Sequence, residues 1–187
     1  MMKRLCVTTL LCSALLACTA TPDRYVVPNT QATDRQRIGF RAVEIREVSL
    51  PTYAASDEIT RQGPDGALVS DGAVLWADTP ERAVALELAR HLTQLSGARV
   101  ASAPWPFEGS PDARLELRFE TLVANDEGAF HASGQYFVAV SDGRAERSGL
   151  FDLTVPFDPA AGPPAIAAAR GQAILDVARF VAVNGLR

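Results

Sequence analysis

The period at which apolar residues recur changes along the chain, and each change predicts an element. Ile38, Phe40, Val43, Ile45, Val48 and Leu50 punctuate charged residues in a strand-like pattern, with a phase slip that predicts a bulge. Pro51 ends it. Short β segments follow at 57–62, 67–70 and 73–77, set off by the turn signals Gly63-Pro64-Asp65-Gly66 and Asp71-Gly72. Asp78-Thr79-Pro80-Glu81 then opens a helix. Asp78 and Glu81 match a capping box, and Pro80 falls in the first turn, where its missing N–H costs nothing. Val84, Leu88, Leu92 and Leu95 form one apolar stripe, Arg82, Arg90 and Gln94 lie away from it, and Gly97 closes the helix.

A strand through Val100 leaves by Pro104-Trp105-Pro106. Leu115, Leu117 and Phe119 then alternate with Glu116, Arg118 and Glu120, the period of a half-buried antiparallel strand. Phe130 to Val140 alternates likewise, Asp142-Gly143 reads as a hairpin turn, and Phe151, Leu153, Val155 and Phe157 supply a third apolar face. Pro163-Pro164 precedes an alanine-rich helix reaching about Val183. Its apolar side is Ile166, Ala169, Ala173, Val177 and Phe180 or Val181; Gln172, Asp176 and Arg179 form the polar side. Gly171 inside it costs about 1 kcal/mol relative to alanine, so tertiary packing must hold this helix. The order strand, hairpin, helix, strands, helix predicts an α+β fold, a mainly antiparallel sheet with two principal helices packed on one face.

The domain is expected over 38–187, behind an address and a tether. Lys3 and Arg4 form a positive n-region and Leu5 to Ala17 an apolar run of 13 residues. That run is too short for a bilayer core, which takes about 20 helical residues, so 1–17 reads as a signal peptide. Leu15-Leu16-Ala17-Cys18 resembles the bacterial lipobox, which implies cleavage before Cys18 and acylation of that residue. An ordinary signal peptide that happens to hold a cysteine is the alternative. Thr19, where lipoproteins retained at the inner membrane often carry Asp, implies the outer membrane and leaves inner-membrane anchoring open. Residues 18–37 show no helix or strand period and read as the lipidated cysteine and a flexible tether. Fully extended, such a tether spans on the order of 60 Å.

Composition narrows the function classes. Hydrophobic residues are 48% and charged residues 21%, with a net charge of −4, which is ordinary globular composition without the basic surface nucleic acid requires. Removal of residues 1–17 leaves 16 basic and 22 acidic residues, a net charge of −6, and no lysine. All three cysteines lie at or before Cys18, so the mature chain holds no disulfide pair and no cysteine metal site. Neither histidine has a partner at metal-ligand spacing. His91, beside the apolar stripe, reads as a surface or boundary histidine, and His131 lies on the polar side of its strand. A Ser-His-Asp set could be assembled only from Ser133, His131 and Asp126, without the strained turn that presents a nucleophile. No glycine-rich nucleotide loop occurs. The sequence therefore points to no catalytic residue, no metal and no cofactor. Tyr53, Trp76 and Trp105, each near the end of an element, are candidate partner contacts, against the plainer reading of tryptophans capping a core rim.

Pro51-x-Tyr53, Glu58-Ile59-Thr60-Arg61, Leu75-Trp76-Ala77-Asp78 before an amphipathic helix, and Val100 followed by Pro104-Trp105 together resemble the ABC-type transport auxiliary lipoprotein family, the PqiC-like lipoproteins. The resemblance runs in order over roughly 38–183. The chain departs from it at Leu75, where the family often has arginine, and at Ala54-Ala55-Ser56-Asp57, where it tends to have Asp-Arg-Pro. The resemblance implies a non-enzymatic part of an MCE-type ABC system that moves phospholipid or other apolar molecules between inner and outer membranes. It also implies an MCE-domain protein, a permease and an ATPase as partners, and a homo-oligomer at the outer membrane. The alternatives are a free-standing periplasmic lipid- or small-molecule-binding lipoprotein and a periplasmic hydrolase.

Overall fold

A computed structural model describes residues 21–141, 143 and 146–187; the signal peptide, Cys18 and Asp142 of the expected turn lie outside the described residues. The elements run β1 (Asp23–Tyr25), β2 (Ala42–Ser49), α1 (Thr52–Ala55), β3 (Arg61–Gln62), β4 (Leu68–Val69), β5 (Val74–Trp76), α2 (Pro80–Ser96), β6 (Arg99–Ser102), β7 (Ala113–Asn125), β8 (Ala129–Val140), β9 (Arg147–Pro156) and α3 (Pro163–Asn184), with a 3-10 turn at Pro159–Ala161 before α3.

The main sheet has the order β6-β2-β7-β8-β9, and the β3–β4 hairpin continues beside the far end of β7. Its longest pairings, β7–β8 and β8–β9, are antiparallel, as expected. The β6-β2-β7 half is parallel. Parallel neighbours need a long crossover, and α2 supplies one between β2 and β6. Both expected features of the strands occur. β2 shifts register between Ile45 and Glu47, and β7 buries Ala113, Leu115, Leu117 and Phe119 in strict alternation. A second bulge between Phe119 and Thr121 then flips the phase, so that Leu122 and Ala124 turn inward.

The two long helices pack on that inward face and on each other. Val84, Leu88, Leu92 and Leu95 of α2 are all fully buried, and Gly97 ends the helix in the left-handed region (φ 72°) with its N–H on the Thr93 carbonyl. The expected capping box does not form. Thr79 is the N-cap, and the Asp78 carboxylate is committed to the Thr79 N–H and the Arg82 guanidinium.

Two expectations are corrected together. The polar side expected of α3 is narrow, because Arg170, Gly171, Ile174, Leu175 and Ala178 are buried as well as the predicted stripe. What covers them includes the segment expected to be tether. β1 pairs in parallel with β5, Ala32 N–H donates to Gln94 Oε1 (3.3 Å), Gln36 N–H to the Leu95 carbonyl (2.8 Å), and Arg179 of α3 holds Asp34 at 2.9 Å. The domain therefore begins near Asp23 rather than at residue 38. Beyond the three residues of β1 the segment forms no helix or strand, so it has none of the periodicity that would have marked it.

At Gly171 this segment lies close against α3. A Cβ there would stand 2.9 Å from Val27 Cγ1, 3.2 Å from Thr30 Oγ1 and 3.3 Å from the Pro28 carbonyl oxygen. Alanine in a helix interior ordinarily gains about 1 kcal/mol over glycine. Gly171→Ala is expected to lose that gain to the clash, lowering stability, and to speed amide exchange at Ala32 and Gln36. A stabilised variant with unchanged exchange would show that the segment does not depend on this contact.

Candidate functional site

The chemistry worth a site collects where α2, α3 and β5 meet. Arg170 projects from α3, Glu87 from α2 and Trp76 from β5, and all three are buried (3%, 6% and 7% exposed). The Arg170 guanidinium lies 4.6 Å from the centre of the Trp76 indole and its Nη2 donates to Glu87 Oε1 at 3.4 Å. Cation–π stacking and the ion pair thus share one guanidinium. Burial pushes the Glu87 carboxyl up, and Arg170 and then Arg90 oppose that push. Burial likewise pulls Arg170 down against the Glu87 charge, but an arginine stays protonated in such a setting.

A cleft opens on either side of this node. The outer one, about 180 Å³, lies between residues 25–27 and α2; Trp76, Glu87, Arg90 and Arg170 reach it. Val26 (73% exposed) and Leu86 (42%) belong to its walls. Glu87 Oε2 and Arg90 Nε are buried without a hydrogen-bond partner among the described residues. Both atoms are enclosed, so what the cleft offers a partner is its exposed apolar rim, Val26 and Leu86. The inner cleft is a crevice of about 20 Å³ shared by Tyr53, Trp76 and Arg170. The Tyr53 hydroxyl accepts from the Leu122 N–H at 3.4 Å.

The structure thus brings Tyr53 and Trp76 together and leaves Trp105 elsewhere. Trp105 follows the edge strand β6 and packs against Phe107 (ring centres 5.0 Å apart), with its Nε1 buried and unpartnered. Trp76 is buried, so its ring positions Arg170 rather than offering a surface. The nucleophile set does not assemble. His131 sits between Asn125 (3.4 Å) and Thr154 (3.2 Å), while Asp126 is paired with Arg61 at 2.8 Å. Among the described residues no cluster of His, Cys, Asp or Glu is placed to hold a metal, and no helix is long and apolar enough to cross a membrane.

His91 is a correction. It is fully buried, both ring nitrogens are unpartnered, and burial, followed by the Arg90 charge, pulls its pKa down to about 4. Glu87, Arg170 and His91 escaped the sequence reading, although a signal was present. Glu87 and His91 fall on the same helical spacing as Val84, Leu88 and Leu95, so charged and titratable groups sit inside an apolar stripe.

The model of a family described as the ABC-type transport auxiliary lipoprotein component matches residues 25–182, from within β1 almost to the end of α3. The chain belongs to this family. No curated protein matches. Among solved structures, an uncharacterized protein is 18% identical with a TM-score of 0.65, covering 88% of this chain and 98% of its own. Protein XCC0632 from Xanthomonas campestris is 15% identical with a TM-score of 0.64, covering 87% of this chain and 96% of its own. These likenesses establish a shared fold.

Two outcomes are expected of this auxiliary lipoprotein. Arg170→Ala leaves Glu87 buried and unpaired and should cost about 3–5 kcal/mol by urea unfolding, whereas Arg170→Met with Glu87→Leu should recover most of it. A double variant as unstable as the single would show the charges themselves are needed. For His91, the unfolded chain binds a proton near pH 6.5 that the folded chain refuses down to about 4. Its contribution is therefore whole above pH 6.5 and is lost as the pH falls through that window, by up to about 3 kcal/mol. His91→Leu should flatten the fall in stability between pH 7 and pH 4; an unchanged slope would remove His91 as its source.

Proposed function

We propose that this chain is a non-enzymatic auxiliary component of an MCE-type ABC transport system, held at the outer membrane by acylated Cys18 and facing the periplasm. In this reading it serves the transfer of phospholipid or other apolar molecules between the two membranes. The observation that carries it is the family match over 25–182, which spans the whole folded domain, together with the lipobox-like Leu15-Leu16-Ala17-Cys18 just ahead of it. Its partners would be an MCE-domain protein with its permease and ATPase, and further copies of itself. The surface we assign to a protein partner is the outer cleft, where Val26 and Leu86 stand exposed.

The packing of residues 23–36 supports a close anchorage. From Cys18 to Asp23 is five residues, at most about 17 Å of extended chain. A domain on so short a leash sits against the membrane, and the rest of the conduit must come to it.

An affinity pull-down of the acylated, tagged protein from gently solubilised envelopes should recover an MCE-domain protein with its permease and ATPase. Leu86→Asp, an exposed change, should reduce that recovery several-fold, and Cys18→Ala should abolish membrane retention. Recovery of this protein alone, in good yield, would favour a free-standing lipid-binding lipoprotein.

A further inference from the structure

A second cleft, about 290 Å³, lies between the β3–β4 hairpin and the N-terminal end of α3. Ile59, Val69, Val74, Phe157, Pro163 and Ile166 give it apolar walls, and Arg61, Ser70, Asp71, Asn125 and Asp126 also line it. None of the buried charges of the Arg170 node reaches it. Val69 and its neighbour Leu68 are large aliphatic residues left 52% and 46% exposed, on a hairpin too short to have needed them for its own pairing.

The position of this cleft is fixed by the leash. Val74 is the strand partner of Asp23, and the Asp23 N–H donates to the Ala73 carbonyl at 2.8 Å. The cleft wall therefore adjoins the point where the chain arrives from Cys18, five residues earlier. β1 runs away from that point, which sets Val26 and the outer cleft farther along. Of the two clefts, the one free of buried charge is the one beside the anchor.

We propose that this cleft is a lipid site, taking one acyl chain of a membrane phospholipid whose headgroup is zwitterionic and bears an amine. The proposal rests on the anchoring and lipid-transfer reading above. The volume of about 290 Å³ suits the end portion of one acyl chain and not a whole lipid. Each methylene withdrawn from water contributes favourably, and the apolar walls supply the contact. The headgroup stays outside, over a rim that carries Asp71 and Asp126, with Arg61 already committed to Asp126 at 2.8 Å. Asp65 lies in the same hairpin. Such a rim repels a purely anionic headgroup and pairs with an ammonium.

The test uses full-length, acylated protein in phosphatidylcholine vesicles that contain phosphatidylethanolamine carrying a photoreactive diazirine near the end of one acyl chain. Irradiation followed by peptide mapping should place the label on residues around 69–74, 157 and 166. Val69→Asp, at an exposed position, should lower cleft labelling about tenfold by putting a carboxylate in the chain's path. Leu68→Asp, outside the cleft lining, serves as the charge-matched control and should lower it much less. Presenting the same photoreactive chain on phosphatidylglycerol should also reduce labelling several-fold. Label concentrated at Val26 and Leu86, spread evenly over the surface, or absent from the cleft would overturn the proposal, as would equal labelling from the anionic lipid. The pull-down separates the two readings. Loss of cleft labelling with the transporter still recovered would sink the lipid site alone, and cleft labelling without transporter recovery would sink the auxiliary role alone.

Discussion

A helix that is apolar around nearly its whole circumference has to be covered on every side, and α3 is such a helix. The sheet covers one side and α2 another. Neither reaches the side that carries Gly171, where residues 27–30 lie against it instead. That requirement recruits a stretch of chain with little hydrophobicity of its own. The segment is then held by hydrogen bonds to the last turns of α2, by the Asp34–Arg179 pair and by three residues of parallel strand. The Arg179 guanidinium in turn keeps the Asp34 carboxyl below its usual range.

The same crowding explains the charges at the centre. Arg170 lies one residue before Gly171, at the junction of α2, α3 and β5, where it is only 3% exposed. A buried cation must be paired, and both Glu87 and the face of Trp76 are spent on it. Pairs of this kind contribute little net stability compared with an apolar replacement, because desolvation offsets most of the attraction. What remains is a carboxylate oxygen of Glu87 and the Nε of Arg90, each enclosed without a hydrogen-bond partner among the described residues. Enclosed groups left unpaired in this way carry a desolvation cost.

Packing of the N-terminal segment also converts a matter of stability into one of orientation. In the proposed reading, with Cys18 as the anchor, the five residues to Asp23 keep that end of the domain within about 17 Å of the membrane. The apolar cleft beside Val74 is at that end, and the charged cleft beside Leu86 is farther along the direction in which β1 runs. The two proposals thus assign lipid and protein partner to different parts of one domain.

The alternation of β7 and β8, the slip in β2, the stripe on α2 and its glycine stop were all legible in the sequence, because each is a local period or a local turn preference. So was the fold class, which follows from their order, and so was the family resemblance carried by Tyr53, Trp76 and Trp105 in sequence. Only the tertiary structure decided that β2 pairs in parallel with β6 and β7, since alternation reads the same for either direction. It alone joined Tyr53 to Trp76 and set Trp105 apart, buried His91, and gave Arg170 its partner 83 residues away. It also moved the start of the domain from residue 38 to Asp23. Residues 26–36 have no period because they form no helix or strand and are placed by contacts with other elements. Their structure is a property of what they touch, and no local pattern could record it.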